Sequence, residues 1–414
     1  MYRLSGDKPV GMQLRQSIWC LVTCFLVCSM AASRVRGAEL LEIEGKVVYN
    51  QVVASQKTER DYWEQVDLFS QEFPSGQIVR LTDYAKHPLL SKYRCISQPE
   101  WSPDGWRVLF WAVGKIGSSG DRSRFPWILD ARTGHLEMLK QYPNRWYLRI
   151  KWLSDSRRLV ALVKDGPIPS NPEDRWNYFL STGPDSRIVA IDLETKREHV
   201  IMRNPPSPFY LPSPNGNDVL FYHSTYRTLY TISIPNHTKR KIFGVPDLDA
   251  AAFSPDGKRL ALYGGGELRV CNIDTGKMLI IQDGLVDGTE VSDLHWSPDG
   301  KWVAFKQHGS HIQSVDPPLV DSSSYITAVN VGTGKAVGFP DPKAGANQES
   351  GYLIVLGWTK DSKYLILRDT GKSTKEPYPR DVRYALTAYP IGGGPAVPVT
   401  QMIGYLYDVD WLPR

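Results

Sequence analysis

A five-residue signature, Trp-Ser-Pro-Asp-Gly, returns at intervals along this sequence. At Trp296–Gly300 it is followed by the largely apolar segment 301–305, which predicts a strand, a tight turn and a second strand. Pro298 presets φ in the turn, the Asp299 side chain can bond the local backbone, and Gly300 adopts a positive φ at little cost. One copy predicts only a hairpin, so the number of copies decides the fold.

Five further copies, some degenerate, and one truncated copy accompany the one at Trp296. They begin at Trp101, Trp152, Pro212, Phe253 and Trp358, with the truncated copy at Trp411. Successive copies lie 51, 60, 41, 43, 62 and 53 residues apart, as expected for blades of about 40–50 residues with insertions. Each complete copy is followed by two strand-like segments and a short third one. Together with the strand that ends at the motif, these give four strands per repeat.

The two ends of the chain complement each other. Residues 408–412 supply an opening strand with nothing after it, and residues 44–49 resemble 299–304 but have no opening strand before them. We therefore expect the C-terminal strand to complete the N-terminal blade, which closes the ring and leaves no end blade exposed. The predicted fold is an all-β, seven-bladed β-propeller of four-stranded blades.

These motifs resemble the WD40-like β-propeller repeats of the TolB type, which also form the propeller domains of prolyl-oligopeptidase-like peptidases. The resemblance covers essentially the whole chain after the leader. It implies architecture much more than activity, because one fold hosts many functions. Within this group some propellers are polysaccharide lyases or hydrolases whose site lies at the mouth of the channel.

The first 38 residues have the features of a secretory signal peptide. Arg3, Lys8 and Arg15 precede an apolar run from Ile18 to Ala32, and small residues follow it. The run is short for a membrane span, although an uncleaved anchor and lipidation at Cys28 remain alternatives. The sequence thus predicts a leader at 1–38, a single propeller domain at 39–414, and a periplasmic or extracellular protein with no transmembrane segment after cleavage.

Charge and cysteine content narrow the range of partners. Without the leader, 44 basic residues face 43 acidic ones, and no basic run of the kind that follows phosphates remains. Nucleic acid is therefore excluded as an expected partner. Only Cys95 and Cys271 remain, which excludes a disulfide framework and a cysteine-based metal site. We expect a monomer held together by its apolar core.

Four long insertions indicate where a ligand would bind. They fall between the second and third strands of their repeats, at 114–126, 165–186, 307–324 and 369–383, whereas the equivalent connections at 224–228 and 264–267 are short. This bias places the elaborated loops on the face opposite the motif turns, over the channel mouth. The candidate ligand-binding residues in these loops are Arg122, Arg124, Arg175, Trp176, Tyr178, His308, His311 and Arg380.

The arginines among these candidates could hold carboxylates or acidic saccharides bidentately, or they could simply keep long loops soluble. His308 and His311 could bind a metal with Asp316, but their Gly-Ser context does not favour it, and we expect no metal and no cofactor. The sequence holds no Gly-x-Ser-x-Gly, His-Glu-x-x-His or dinucleotide motif, so no catalytic residue is assigned. The expected function is a non-catalytic scaffold for a protein or a polysaccharide; the alternative is a polysaccharide lyase or hydrolase.

Overall fold

The computed structural model shows an all-β chain. It describes residues 43–57, 62–115, 124–139, 145–167, 182–245, 247–282, 290–308, 324–339, 353–370, 384–401 and 406–413. The 28 strands found there form seven four-stranded antiparallel sheets, which we number as blades 1 to 7. Among the described residues no helix is long and apolar enough to cross a membrane.

Blade 1 is built from both ends of the chain, and blades 2 to 7 follow in sequence. Blade 1 contains β1 (Gly45–Lys57), β2 (Tyr62–Phe73), β3 (Ile78–Arg80) and β28 (Leu406–Pro413). Blade 2 contains β4 (Tyr93–Trp101), β5 (Arg107–Lys115), β6 (Arg124–Asp130) and β7 (Leu136–Met138). Blade 3 contains β8 (Arg145–Trp152), β9 (Arg158–Asp165), β10 (Ser186–Asp192) and β11 (Glu198–Arg203).

The remaining four blades repeat the same order of strands. Blade 4 contains β12 (Tyr210–Pro212), β13 (Asp218–His223), β14 (Thr228–Ser233) and β15 (Lys239–Gly244). Blade 5 contains β16 (Ala250–Phe253), β17 (Arg259–Gly264), β18 (Glu267–Asn272) and β19 (Met278–Gln282). Blade 6 contains β20 (Glu290–Trp296), β21 (Trp302–His308), β22 (Ser324–Asn330) and β23 (Ala336–Phe339). Blade 7 contains β24 (Leu353–Trp358), β25 (Tyr364–Thr370), β26 (Tyr384–Pro390) and β27 (Val397–Gln401).

The prediction of a seven-bladed propeller closed by the C-terminal strand is confirmed. In blade 1 the strand order is β28-β1-β2-β3, so β28 occupies the inner position that the motif strand takes elsewhere. Val47 lies opposite Trp411, just as Val303 lies opposite Trp296. The predicted alignment of 44–49 with 299–304 is therefore wrong by one residue, since Lys46 takes the place of Trp302 and not of Lys301. No motif turn precedes Lys46 to set the register.

Apolar side chains fill the spaces between neighbouring blades. Phe110 and Trp127 of blade 2 pack with Val48 and Leu68 of blade 1 in one fully buried cluster. The opposite face of blade 2 contributes to a second cluster with blade 3. The sheet of blade 2 is thus buried on both faces, which explains why its central strands read as apolar runs.

The motif turns are held by internal hydrogen bonds. The Ser297 hydroxyl donates to Asp299 at 2.6 Å and accepts the backbone N–H of Trp302 at 2.9 Å. The Asp299 carboxylate also accepts the N–H of Lys301 at 3.0 Å. Equivalent bonds join Ser102 to Asp104 and Ser254 to Asp256. The repeated aspartates are therefore engaged in turn formation.

Cationic side chains at the start of the second strands connect neighbouring turns. Arg259 donates to the carbonyl of Gly300 at 2.8 Å, and Arg158 donates to the carbonyl of Gly216 at 3.0 Å. Lys46 makes the same contact with the carbonyl of Gly105. In each case the acceptor is a residue of positive φ in the next blade. The turns thus help to fix the spacing between blades.

Substituting Gly300 tests this contact between blades. Gly300 has φ +67°, and an added Cβ would lie 2.7 Å from an Arg259 guanidinium nitrogen. Gly300→Ala is expected to cost about 2–3 kcal/mol, from backbone strain plus a weakened charged hydrogen bond. The control is Gly276→Ala, which has the same φ of +67° but no neighbour within 4 Å, and should cost only about 1–2 kcal/mol. Equal losses of unfolding free energy in denaturant titrations would contradict a role for the Arg259 contact.

Tryptophans at the ends of the inner strands also link the blades. In each case the indole N–H donates to a backbone carbonyl of the preceding inner strand. The Trp296 indole donates to the carbonyl of Ala252 at 3.0 Å, and the Trp358 indole donates to that of His295 at 3.1 Å. Trp411 donates to Trp358 at 3.0 Å and continues the series into the closing strand. The equivalent bond from blade 2 to blade 1 is not made: the buried indole nitrogen of Trp101 has no hydrogen-bond partner in the described part of the chain.

Candidate functional site

The structure describes few of the predicted ligand-binding residues. Arg122, Arg175, Trp176, Tyr178, His311 and Arg380 lie outside the described residues, as does Asp316. His308 is the last residue of β21, where its backbone pairs with Glu290, and its side chain is not described. Arg124 alone of the eight has a described side chain. The connections predicted to be long do join second to third strands.

A cavity of about 1010 Å³ lies at the inner strands, where the blades meet. Five blades contribute to its lining, namely blades 7, 1, 2, 3 and 4. The charged lining residues are Glu100, Arg124, Arg149, Lys151, Arg368, Asp408 and Asp410, and the apolar ones include Trp111, Ile354 and Leu356. Charge of both signs therefore faces a cavity large enough for a small ligand or a section of polymer.

Arg124 reaches this cavity from the loop-rich end of blade 2. It is the first residue of β6, directly after the connection 116–123, and its guanidinium lies 4.7 Å from the centre of the Trp111 ring. It donates to the Gln98 amide oxygen. Burial lowers the pKa of Arg124, and the charge of Asp408 acts in the opposite direction. This contact with the Trp111 ring limits the freedom of the guanidinium, whose fork suits bidentate recognition of a carboxylate.

Gln98 occupies a strained position at a bulge in the inner strand β4. The pairing of β4 with β5 shifts between Ser97 and Glu100, and Gln98 has φ +50°. Such a left-handed conformation is uncommon outside glycine and concentrates at functional sites. The bulge turns the exposed backbone N–H of Gln98 towards the closing strand, where it donates to Asp408 at 2.7 Å.

Two aspartates of the closing strand β28 bind the backbone of blade 2. Asp408 accepts the N–H of Gln98, and Asp410 accepts the N–H of Trp101 at 2.7 Å. The backbone N–H of Asp408 donates in turn to Asn50 at 2.7 Å, and the fully buried Asn50 donates to the carbonyl of Ile96 at 3.1 Å. These bonds join the last strand to the second blade as well as to the first.

Asp410 has the most unusual carboxyl group of the cavity. Burial within the ring raises its pKa to about 7, and the negative charge of Glu100 acts in the same direction. The Trp101 N–H and the Lys151 ammonium oppose this shift. Lys151 bonds Glu100 at 3.0 Å, and the charge of Glu100 raises the Lys151 pKa. Near neutral pH the carboxyl of Asp410 is therefore available in both its protonated and its ionised form.

Sequence reasoning missed Asp408, Asp410, Glu100 and Lys151. A signal was available, because charged residues alternate in segments predicted to be inner strands, where apolar residues are usual. The signal is weak because β28 also closes the ring, and that role alone accounts for its place in the sequence. Within the described ranges no group of three or more His, Cys, Asp or Glu could hold a metal ion.

Seven antiparallel blades around a charged central cavity define the chain as a seven-bladed β-propeller. No protein-family model matches the sequence, and no curated protein matches it either. The fold resembles that of prolyl endopeptidases, with a TM-score of 0.54, 13% identity, and coverage of 88% of this chain and 50% of that one.

Two further solved structures show the same likeness. Pyrococcus horikoshii acylaminoacyl peptidase has a TM-score of 0.50 and 15% identity over 86% of this chain and 50% of that one. TolB from Acinetobacter baumannii has a TM-score of 0.43 and 14% identity over 73% of this chain and 65% of that one. The chain thus spans about half the length of the two peptidase structures and 65% of TolB. At these identities the likenesses concern the fold alone.

Proposed function

We propose that this chain is an exported, non-catalytic propeller that binds a carboxylate-bearing protein or polysaccharide at the loop-rich mouth of its channel. The observation that carries the proposal is the charged cavity at the inner strands, with Arg124 at its loop-rich end. Export rests on the leader at residues 1–38, which directs the chain to the periplasm or outside the cell. No cofactor is needed for this role, and the binding unit is a single propeller.

The charges of the cavity favour an acidic ligand. Arg149 is exposed, and its guanidinium makes no hydrogen bond or ion pair within the described part of the chain. Arg124 contacts the Trp111 ring, and Asp410 is in part protonated near neutral pH, which reduces the negative charge of the lining. A guanidinium fork matches a carboxylate in geometry as well as in charge. A ligand with repeated carboxylates can engage both arginines.

Binding to two acidic polymers tests this proposal. An oligoglutamate peptide and an oligogalacturonate serve as the protein and saccharide probes in isothermal titration calorimetry. Arg124→Ala and Arg149→Ala are each expected to weaken binding of the preferred probe by roughly 10–100-fold, since each removes a charged hydrogen-bonding group. Arg124→Lys should recover only part of the affinity, because it keeps the charge and loses the fork.

The matched control is Arg240→Ala, on the outer strand β15 and away from the cavity. It should leave affinity unchanged at low salt and at physiological salt. Binding that falls equally in Arg240→Ala and Arg124→Ala would indicate non-specific attraction to basic surface. Absence of binding for both probes would contradict the acidic ligand class.

Asp410 also favours a second candidate function, a polysaccharide lyase or hydrolase. A carboxyl group with a pKa near 7 in a cavity suits general acid or base catalysis at neutral pH. Assays for new reducing ends or unsaturated products from oligogalacturonate distinguish the two functions. Turnover that is abolished in Asp410→Asn while binding persists would establish the enzyme; binding without turnover would favour the scaffold.

A further inference from the structure

A pair of exposed histidines joins blades 3 and 4 at the outer part of the ring. His199 belongs to β11, the outermost strand of blade 3, and His237 lies in the turn between β14 and β15 of blade 4. Their ring centres are 4.6 Å apart, and the rings are tilted by 47°. Both residues are exposed, and neither imidazole has a hydrogen-bond partner in the part of the chain that the structure describes.

His237 is held in a left-handed conformation that four other blades give to glycine and blade 3 gives to Lys196. It has φ +58°, and its backbone N–H donates to the Ser233 carbonyl at 2.9 Å. The residues that make the same bond in the equivalent turns of other blades are Gly76, Gly134, Gly276 and Gly334. A left-handed non-glycine residue costs roughly 1 kcal/mol or more, and retained strain of this kind often accompanies function.

The turn also fixes the backbone that carries the His237 side chain. The Asn236 side chain accepts the backbone N–H of Thr238 at 3.0 Å, which rigidifies the turn together with the bond to Ser233. The backbone of His199 is fixed by the pairing of β11 with β10. Two imidazoles on rigid elements of different blades are thus brought together without a flexible loop on either side.

The spacing of the rings suits two ligands of one ion. Imidazole nitrogens bind Zn²⁺ and similar ions at about 2.0–2.1 Å. Two imidazoles whose N–metal–N angle is about 90–105° therefore have ring centres roughly 4.5–5 Å apart. The observed 4.6 Å falls in this range. Imidazole suits Cu²⁺, Ni²⁺ and Zn²⁺, with Cu²⁺ the strongest binder, and water can fill the other positions.

We propose that His199 and His237 form a bidentate site for a divalent transition ion of the Cu²⁺, Ni²⁺ or Zn²⁺ class. The site bridges two blades on their outer strands, away from the central cavity, and it is independent of the proposed ligand binding. An ion held there cross-links blade 3 to blade 4, which would stabilise the folded ring increasingly as the free ion concentration rises above the dissociation constant of the site.

Titration of the full chain with Cu²⁺ tests the site. The protein is prepared without a histidine tag, and binding is followed by calorimetry and by electron paramagnetic resonance. His199→Ala and His237→Ala should each lower the affinity of this site for Cu²⁺ roughly tenfold, because the remaining single imidazole cannot chelate the ion. The matched control is His135→Ala, an exposed histidine in blade 2, which should retain that site.

His237→Gly gives a second readout that does not depend on loss of folding. Glycine relieves the left-handed strain, so this variant should unfold at a higher temperature than the wild type while losing the Cu²⁺ site. A signal from two nitrogen ligands in the wild type that persists in both alanine variants would overturn the proposal. An unchanged affinity in those variants would do the same and would show that the rings only stack.

Discussion

Deleting residues 405–414 is expected to abolish cooperative folding. The deletion removes β28, which pairs with β1 along the centre of the ring and binds blade 2 through Asp408 and Asp410. Without it, blades 7 and 2 would lose the packing and hydrogen bonds that close the circle. Soluble expression, circular dichroism and calorimetry would report the loss as aggregation and the absence of a single unfolding transition.

A single substitution in the same strand should be almost as damaging. Trp411 is buried, donates to the carbonyl of Trp358 and packs on Gly45 so closely that an added Cβ there would overlap its ring. Trp411→Ala is expected to cost about 3–5 kcal/mol of unfolding free energy. The matched control is Trp106→Ala, which removes a tryptophan that is 44% exposed and should cost much less.

Complementation would separate ring closure from general damage. A synthetic peptide of residues 405–414 added to the truncated chain should restore the unfolding transition, because the vacant inner position of blade 1 presents an unpaired strand edge. Wild-type unfolding temperature in the truncated chain without peptide would contradict the role of β28 in closing the ring.

The second large effect is a gain of stability from Asp410→Asn at alkaline pH. The folded-state pKa of about 7 lies above the ordinary value of 3.8. The native fold therefore disfavours the ionised form of Asp410. The contribution of Asp410 to the free energy of unfolding is fully favourable only below pH 3.8. Stability is lost as the pH rises from about 4 to 7, by up to roughly 4 kcal/mol in total. Asn cannot ionise, so its advantage over Asp should be largest at pH 8 and smaller at pH 5.

Denaturant titrations at pH 5 and pH 8 check this dependence. Glu100→Gln provides the control, because removing the Glu100 charge leaves Lys151 to favour ionised Asp410 and should reduce the gain from Asp410→Asn. An identical gain at both pH values would show that ionisation is not responsible. If Asp410→Asn is more stable than the wild type but binds its ligand less well, the destabilising Asp410 carboxyl is retained for function.

The sequence predicts the blade count and the closure because both rest on local turn chemistry. Each Ser-Pro-Asp-Gly copy specifies its own turn through contacts within six residues, as Ser297 and Asp299 show. The register of β1 was predicted wrongly because Gly45 resembles Gly300 in sequence but faces Trp411 in a strand. Local resemblance cannot reveal this, since the turn that fixes register elsewhere is absent.

The cavity was harder to predict because its residues meet across blades. Asp410 bonds Trp101, more than 300 positions away in sequence, and its raised pKa depends on Glu100 and on burial by the whole ring. The bulge at Gln98 has no glycine to announce it. Arg124 was predicted because it lies within the insertion at 114–126. The alternating charges of the inner strands are a weaker signal, because nothing local shows that residues of different blades meet in one cavity.

The shared blade also fixes the order of synthesis and ring closure, because blade 1 needs strands from both ends of the propeller. The inner edge of β1 stays unpaired until β28 has been made, so the emerging chain carries an open arc of blades until then. Contacts of such long sequence separation form slowly, and an open strand edge invites wrong pairing while it lasts. The ring can therefore be completed only once β28 has arrived and paired with β1.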